Sequence, residues 1–289
     1  MCALGGATLV YGGVYERTAY RLRRLTVPAL APGAEPLRLL QISDLHVTPN
    51  QVGKLAWISE LARLTPDLVA LTGDVLSHPG ADEPVIKALS PLFGFPGMFI
   101  PGNNDYFIPQ LKNPIRYFTG KEDELDGPEL DWEAFAKRLA DVSGWLDMTN
   151  VRTAFPLPGR TIDVRGVDDA HLDRDRLELV SGPGDPDVDL VLGLSHTPEP
   201  RVLEQYTRDG VALILSGHTH GGQVRLPGFG AVVTNCGIDR ARARGLSRFT
   251  AGGRTSWLHV SPGLGTSPYA PLRFNCRPEA TLLTLTPVG

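Results

Sequence analysis

The chain has 289 residues, of which 42% are hydrophobic, so it can form one large domain or two small ones with a substantial core. Its formal net charge of −4 argues against a nucleic-acid partner, which would favour a basic surface. The three cysteines are too few, in a chain this long, for a disulfide framework, and they lack the Cys-x-x-Cys spacing of a zinc knuckle. They favour a reducing, cytoplasmic compartment.

Residues 1–35 form a segment of distinct character. An apolar run at 3–14 is followed by the arginines Arg17, Arg21, Arg23 and Arg24. The run is shorter than the roughly 20 apolar residues that cross a bilayer, and it lacks the preceding basic residues of a secretory signal. It could instead lie on an anionic membrane surface, giving peripheral membrane contact. The alternative is an ordinary first strand or helix with a solvated basic flank.

From residue 36 onward, apolar runs and helical spacings alternate. Strands are predicted at 37–42, 67–72 and 97–100, and helices at 50–64, 82–92 and 131–141, with Asp131 as a helix cap. Residues 110–131 form a long polar connection, which predicts a lid or a surface insertion. Further strands are predicted at 151–155, 161–167, 189–194, 211–215, 231–235, 257–260 and 281–285. The pattern favours α/β layering, with two sheets packed face to face and helices outside.

Metal-ligand residue types follow several of these predicted strands. The fragments are Asp44-Leu45-His46, Gly73-Asp74, Gly102-Asn103-Asn104-Asp105, Ser195-His196 and Gly217-His218-Thr219-His220. In an extended segment, residues two apart point to the same side, so Asp44 and His46 are expected to face one site. An aspartate such as Asp74, placed between two ions, can bridge them. Mixed oxygen and nitrogen ligands suit Mn, Fe, Zn or Co, and two divalent ions indicate phosphate ester hydrolysis.

This ordered pattern, spread over residues 41–220, resembles the calcineurin-like metallophosphoesterase superfamily. Residues 217–223, 226–228, 261–265 and 277–279 are similar to its YkuE/YaeI-like bacterial subgroup, whose members are often membrane-associated. The resemblance implies an α/β fold for residues 36–289, namely a four-layer α/β-β/α sandwich of two mixed sheets flanked by helices. It also implies two divalent ions, with Mn favoured, and a metal-bridging hydroxide that attacks phosphorus in line.

The same resemblance implies the ligands of each ion. The first ion would be held by Asp44, His46, Asp74 and His220. The second would be held by Asp74, Asn103, His196 and His218, with Asp74 bridging the two. Whether Asn103 or Asn104 is the amide ligand stays open.

The chain departs from the superfamily at Asn104. The superfamily usually has histidine there, which donates a proton to the leaving group and is oriented by the acidic residue that follows, here Asp105. An asparagine amide can donate a hydrogen bond but cannot transfer a proton near neutral pH. General acid catalysis contributes about 10²–10⁴-fold, so we expect a preference for leaving groups that need little protonation. His171 or His78 could supply the proton instead.

Substrate phosphate needs a cationic partner, and Arg225 and Arg273 are the candidates. The expected function is hydrolysis of a phosphodiester or pyrophosphate bond in a small-molecule substrate, which could be nucleotide- or lipid-linked. The alternatives are a phosphomonoesterase of the same fold and a metal-binding scaffold with weakened catalysis.

Overall fold

The computed structural model describes residues 10–110 and 127–289. In these residues the helices are α1 (Val52–Glu60), α2 (Asp82–Leu89), α3 (Trp132–Ser143), α4 (Leu177–Val180) and α5 (Pro200–Arg208). The strands are β1 (Arg21–Leu30), β2 (Leu37–Ile42), β3 (Leu68–Thr72), β4 (Gly97–Ile100), β5 (Leu146–Asp147), β6 (Val151–Leu157), β7 (Arg160–Gly166), β8 (Val191–Leu194), β9 (Leu213–Ser216), β10 (Arg225–Leu226), β11 (Gly230–Ala231), β12 (Gly245–Ala251), β13 (Arg254–Val260) and β14 (Glu279–Pro287).

Two mixed six-stranded sheets form the centre of the fold. The first has the order β1-β14-β2-β3-β4-β5, in which β2 to β5 run parallel and β14 runs antiparallel to β2. The second has the order β12-β13-β9-β8-β7-β6, in which the four inner strands run parallel and the two edge strands run antiparallel to their neighbours. Loops that follow parallel strands emerge at the same edge of a sheet, which is where such sheets place their sites.

Three hydrophobic clusters separate four layers. Leu40 of β2 and Phe135 of α3 belong to the cluster between the helices and the first sheet. Leu39, the preceding residue of β2, belongs with Leu192 of β8 to the cluster between the two sheets, as the alternation of side chains along a strand requires. Tyr206 of α5 belongs to a third cluster outside the second sheet. The predicted four-layer α/β-β/α sandwich of two mixed sheets is confirmed.

Most elements predicted from the sequence are present. The strands at 37–42 and 97–100 have the predicted bounds, and Asp131 caps α3 by accepting a hydrogen bond from Ala134 N at 3.0 Å. The helix predicted at 50–64 is α-helical only to Glu60 and continues as a 3-10 turn. The strand predicted at 231–235 is wrong beyond Ala231, because Asn235 has a left-handed backbone, with φ at 57°, that ends extended structure.

Part of the N-terminal segment is built into the first sheet. Strand β1 pairs in parallel with β14, whose buried Glu279 accepts hydrogen bonds from Arg21 Nε at 2.6 Å and Arg23 Nε at 2.7 Å. Before β1, the buried carboxylate of Glu16 accepts two hydrogen bonds from the backbone at 275 and 276. The basic flank is therefore partly paired rather than wholly solvated. Residues 1–9 lie outside the described residues, and membrane contact stays a prediction.

The polar connection at 110–131 lies mostly outside the described residues, which resume at Gly127. Its two ends lie together, since Phe107 pairs with Glu129 in an antiparallel bridge and Ile108 N donates to Pro128 O at 2.8 Å. The described residues on either side of the connection are therefore paired, and its role as a lid stays a prediction.

Candidate metal centre

The loops that follow β2, β3 and β4 of the first sheet meet the loops that follow β8 and β9 of the second. His218 N donates to Asp44 Oδ1 at 2.8 Å across the two sheets. Within each sheet, His46 N donates to Asp74 O and Gly217 N donates to the carbonyl of residue 196, both at 2.9 Å. The polar residues at the ends of these strands are thereby brought into one site.

Five of the predicted ligands have a left-handed backbone. Their φ angles are 49° at Asp44, 43° at His46, 54° at Asp74, 67° at His218 and 49° at His220. Asp44 and His46 face one site as expected, but the extended geometry assumed for them is wrong, because tight left-handed turns direct their side chains inward. Such conformations cost of order 1–3 kcal/mol each and cluster at functional sites.

Asp44, His46, Asp74 and His220 each place one ligand atom within 4.8 Å of the ligand atoms of the other three. His46 Nε2 lies 3.2 Å from His220 Nε2 and 3.3 Å from Asp74 Oδ2. His220 Nε2 lies 3.8 Å from Asp44 Oδ1. These four side chains are the set that the resemblance implies for the first ion.

Asn103, His196 and His218 form the adjoining half of the site. His196 Nε2 lies 3.4 Å from Asp74 Oδ2, and His218 Nδ1 lies 3.0 Å from Asn103 Oδ1. The two histidine rings meet edge to face, with centroids 5.4 Å apart. Asp74 Oδ2 therefore lies within 3.4 Å of a histidine nitrogen from each half.

Backbone carbonyls orient three of the histidines. His196 Nδ1, His218 Nε2 and His220 Nδ1 donate to the carbonyls of Thr72, Asn235 and Gly265 at 2.7, 3.1 and 3.2 Å. Because a carbonyl only accepts hydrogen bonds, these nitrogens carry protons, and the opposite nitrogen of each ring is directed at the site. The sequence analysis missed these partners, since every residue has a carbonyl and no sequence pattern marks the ones used.

Two buried polar atoms of the site lack a hydrogen-bond partner. Asp44 Oδ2 and His196 Nε2 are buried without a hydrogen-bond partner of suitable geometry. A buried polar atom left in this way costs about 1–3 kcal/mol. Divalent cations bound in the two halves of the site would satisfy these atoms, and carboxylate oxygen, amide oxygen and imidazole nitrogen are ligands that Mn, Fe, Zn and Co accept. The residues present therefore fit a metal site.

Burial and neighbouring charges set the ionisation of the histidines. Burial lowers the pKa of His218 to about 3 and lowers the pKa of His220 well below its usual range. Both rings are neutral in consequence, which is the form that binds a metal. Burial acts in the same direction on His196, but the nearby carboxylates of Asp74, Asp44 and Asp169 together outweigh it and raise the pKa of that ring. The centre thus stabilises positive charge next to Asp74.

Two glycines enclose Asp44. A Cβ atom added to Gly217 would overlap the side chains of Ser43 and Asp44. A Cβ atom added to Gly263, whose φ is 67°, would overlap Asp44 from the other side. The backbone can approach this aspartate closely only because both positions lack a side chain.

The two residues that follow Asn103 support the loops. Asn104 donates to both carboxylate oxygens of Asp74, from its backbone N and from Nδ2, each at 2.8 Å. Asp105 is buried, and its carboxylate accepts from the backbone N atoms of Val75, Leu76 and Gly102 at 2.7, 2.8 and 2.9 Å. Asp105 therefore braces the loops that follow β3 and β4, and the bonds that it makes do not orient a catalytic side chain.

The two candidate proton donors lie in different places. The ring centroid of His171 is 5.1 Å from that of His218, and His171 is half-buried. Its loop is anchored by Asp169, whose carboxylate accepts from Thr197 Oγ1 at 2.7 Å. His78 is exposed, and its Nδ1 accepts from Gly80 N at 2.9 Å. The structure brings His171, but not His78, against a ligand of the site.

The two arginines also differ. Arg273 is fully buried, and its Nη2 donates to Pro262 O at 2.7 Å and to Gly265 O at 2.6 Å. These bonds commit the guanidinium to the backbone, so Arg273 supports the loop at 262–265 and is not the phosphate clamp suggested by the sequence. Arg225 is half-buried and donates to Gly221 O at 2.9 Å, so its role as a clamp stays a prediction.

The comparisons with known proteins agree with this geometry. A family model described as calcineurin-like phosphoesterase matches residues 37–222. The chain is 30% identical over 258 residues to the protein YpbG of Bacillus subtilis, covering 88% of this chain and 82% of that protein. It is 26% identical over 311 residues to the metallophosphoesterase YkuE of the same organism, covering 98% and 93%. It is 28% identical over 273 residues to the phosphodiesterase YaeI of Escherichia coli, covering 92% and 88%.

The matched range contains all the residues of the metal cluster, from Asp44 to His220. Two of the relatives, YkuE and YaeI, define the subgroup that the sequence resembles. The ligand cluster and the family together support the binding of a divalent metal. The chain belongs to the calcineurin-like phosphoesterases, within their YkuE/YaeI-like subgroup.

Proposed function

We propose that this chain holds two divalent metal ions and hydrolyses a phosphodiester or pyrophosphate bond. The observation that supports this most directly is the place of Asp74 Oδ2, which lies 3.3 Å from His46 Nε2 and 3.4 Å from His196 Nε2. A carboxylate oxygen shared between two sets of nitrogen ligands is suited to bridge a dinuclear centre.

Each ion would have four protein ligands. They are Asp44, His46, Asp74 and His220 for the first ion, and Asp74, Asn103, His196 and His218 for the second. The mixed donor set favours Mn, Fe, Zn or Co, with Mn the preferred ion. When bound, two such ions lower the pKa of a bound water and neutralise charge on the phosphate oxygens.

Asn103 and Asn104 help to position the ligands of this arrangement. The two hydrogen bonds from Asn104 orient the carboxylate of Asp74, and the amide oxygen of Asn103 is turned toward His218. This geometry supports Asn103 as the amide ligand and Asn104 as the residue that positions Asp74. In hydrolysis, the hydroxyl of water joins phosphorus, the bond to the leaving oxygen breaks, and that oxygen takes a proton.

We assign that proton to His171. Its ring lies against His218 and is reached by solvent, whereas Asn104 has no proton to transfer near neutral pH. Because His171 contacts the centre at its rim, we expect it to assist leaving groups less well than a residue in the usual histidine position. Leaving groups that need little protonation are favoured in consequence, such as the phosphate of a pyrophosphate.

The first test concerns the metal. The protein is stripped, reloaded with Mn²⁺, and assayed with bis(p-nitrophenyl) phosphate beside p-nitrophenyl phosphate, while the bound metal is counted by mass spectrometry. We expect two ions per chain and faster turnover of the diester than of the monoester. In Asp74→Asn we expect both the second bound ion and the diester turnover to be lost. Asp131→Asn is the matched control, because asparagine also caps a helix. Faster turnover of the monoester would favour a phosphomonoesterase, and two bound ions without turnover would favour a metal-binding scaffold.

The second test concerns the proton donor. His171→Gln is compared with His78→Gln on diesters whose leaving groups range from p-nitrophenolate to simple alkoxides. We expect His171→Gln to lower the rate by about 10²-fold on alkoxides, and by much less on p-nitrophenolate, because only the former need a proton. Asn104→His should raise the alkoxide rate. Equal losses in the two histidine variants would contradict the assignment.

A lipid-linked substrate and a peripheral membrane contact are also proposed. In the described residues no helix is both long and apolar enough to cross a bilayer. Val10, Tyr11, Val14 and Tyr15 are nonetheless exposed, and Tyr11 packs edge to face on Phe274 with centroids 6.5 Å apart. Such an apolar surface near arginines suits an anionic lipid surface.

Vesicle sedimentation tests this contact, with phosphatidylglycerol vesicles compared with phosphatidylcholine vesicles. We expect binding to the anionic vesicles that weakens in Val14→Ser. Val142→Ser, at an exposed valine of α3, is the matched control. Equal binding of Val14→Ser and Val142→Ser to the anionic vesicles would contradict the proposed membrane contact.

A further inference from the structure

The loop that follows β7 carries His171 and reaches the rim of the metal centre. We call residues 168–176 the His171 loop. Strand β7 runs parallel to β8 and β9, so this loop emerges at the same edge of the second sheet as the loops that carry His196 and His218. The ring centroid of His171 lies 5.1 Å from that of His218, and the two planes are tilted by 46°. The place of this ring depends on how the His171 loop is held.

Contacts with the second sheet hold one side of the His171 loop. Ala170 is buried in the hydrophobic cluster outside that sheet. Asn150, which directly precedes β6, joins the two ends of the loop, because its Oδ1 accepts from the backbone N of Asp168 at 3.0 Å and from that of Arg176 at 2.8 Å. These contacts fix the loop to the second sheet, but they do not set its distance from the ligands that the first sheet supplies.

Tyr106 connects the His171 loop to the first sheet. It directly follows the turn Asn103–Asp105, which carries the proposed amide ligand. Its hydroxyl donates to Asp168 Oδ1 at 2.7 Å, and the guanidinium of Arg174 lies over its ring, 4.0 Å from the centroid. Burial and the carboxylate of Asp168 raise the pKa of Tyr106, so the hydroxyl keeps its proton and stays a donor. Tyr106 thus contacts the loop on both sides of His171.

Packing supports this connection on one side only. A cavity of about 300 Å³ adjoins it, lined by Tyr106, Asp168 and Arg174 together with residues of α3 such as Trp132 and Ala136. Open space beside a contact leaves the polar bonds to hold it. A hydrogen bond to a carboxylate is stronger than one between neutral groups, so we expect the hydroxyl of Tyr106 to carry much of the connection.

We propose that Tyr106 is a positioning residue, whose hydroxyl holds the His171 loop to the first sheet and thereby keeps the ring of His171 at the rim of the metal centre. The inference rests on the proposed function, in which His171 gives a proton to the leaving oxygen. Tyr106 transfers no proton itself. It acts through the place of His171 relative to the ligands of both sheets.

The first test follows the loop without catalysis. Exchange of backbone amide hydrogens in residues 168–176 is measured by mass spectrometry in the Mn²⁺-loaded protein. We expect exchange to be about tenfold faster in Tyr106→Phe, because loss of a bond to a carboxylate lets the loop open more often. Tyr20→Phe is the matched control, since Tyr20 is also half-buried and its hydroxyl has no hydrogen bond within residues 10–110 and 127–289. Equal exchange in wild type and Tyr106→Phe would overturn the inference.

The second test asks whether Tyr106 acts through His171. Both kcat and KM are measured on diesters with alkoxide and p-nitrophenolate leaving groups, for Tyr106→Phe, His171→Gln and the double variant. We expect Tyr106→Phe to lower kcat on the alkoxides by about three- to tenfold at unchanged KM, with little effect on p-nitrophenolate. Added to His171→Gln, it should cause no further loss. An equal loss in both backgrounds would contradict the inference, because Tyr106 would then act independently of His171.

The two tests separate this inference from the proposed function. Faster exchange in Tyr106→Phe, together with no diester hydrolysis by the wild type, would support the role of Tyr106 in the loop and overturn the proposed function instead. Equal hydrolysis of alkoxide diesters by wild type and His171→Gln would overturn the inference, since Tyr106 would then position no catalytic group, while diester hydrolysis itself would stand.

Discussion

Replacement of Arg273 by methionine tests whether a buried guanidinium holds the metal centre in place. The side chain is fully buried and donates to the carbonyls of Pro262 and Gly265 at 2.7 and 2.6 Å. Gly265 O also accepts from Nδ1 of His220, so the guanidinium is one hydrogen bond removed from a predicted metal ligand. Methionine retains the apolar length of the side chain, so the change reports mainly on the guanidinium.

The expected magnitude follows from the two short bonds. A hydrogen bond to a charged group contributes about 1.5–3 kcal/mol, so their loss should lower the free energy of unfolding by about 3–6 kcal/mol. At about 2 °C per kcal/mol for a chain of this size, Tm should fall by roughly 6–12 °C. The affinity for Mn²⁺ should also fall, by about 10–100-fold, as for other residues that orient metal ligands.

The assay is thermal unfolding of the metal-stripped protein by circular dichroism, followed by calorimetric titration with Mn²⁺. Arg225→Met is the matched control, because that arginine is half-buried and donates to the single carbonyl of Gly221 at 2.9 Å. Arg225→Met should lower the free energy of unfolding by no more than about 1.5 kcal/mol. If Arg273→Met unfolds within about 2 °C of wild type, corresponding to about 1 kcal/mol, the carbonyl contacts of Arg273 do not stabilise the fold as argued.

Two further predictions concern pH and backbone. Burial lowers the pKa of His259 to about 4, so the ring contributes stability above its unfolded pKa of about 6.5 that is lost as pH falls through about 4. His259→Asn keeps a donor for Gln41 Oε1. Between pH 6.5 and 4, the free energy of unfolding measured in urea should fall by up to roughly 3 kcal/mol less in this variant than in wild type. Equal falls in the two proteins would refute this. Gly263→Ala and Gly253→Ala both strain a left-handed backbone, with φ at 67° and 77°, but only the former overlaps Asp44. Gly263→Ala should therefore weaken Mn²⁺ binding by about tenfold or more while Gly253→Ala does not, and equal affinities would contradict the role of the close approach.

The candidate site residues could be singled out from the sequence because most of them follow a short apolar run. Strands β3, β8 and β9 are buried throughout, and β2 is buried at every position except Arg38, so their ends are easily located, and the polar residue types that follow them are unusual in such a position. The reason for their convergence could not be predicted. Asp44 and His46 have left-handed backbones, which only tertiary packing can impose on residues with side chains.

The elements that the sequence did not indicate have weak local patterns. Strand β1 carries arginines among its apolar residues and depends on Glu279, which lies more than 250 residues away in the chain. Helix α5 is short and mostly polar, although Val202 and Tyr206 are buried on one face. Arg273 is a harder case, because a buried arginine that donates to backbone carbonyls looks, in sequence, like an arginine on a surface.

The metal centre depends on residues beyond the range that the family model matches. That range ends at residue 222, yet Asn235 and Gly265 supply the carbonyls that orient His218 and His220. Arg273 in turn holds the loop of Gly265 in place. All the proposed ligands lie within the matched range, whereas the carbonyls that orient His218 and His220 lie after it. Changes after residue 222 should therefore alter metal affinity while leaving every ligand in place.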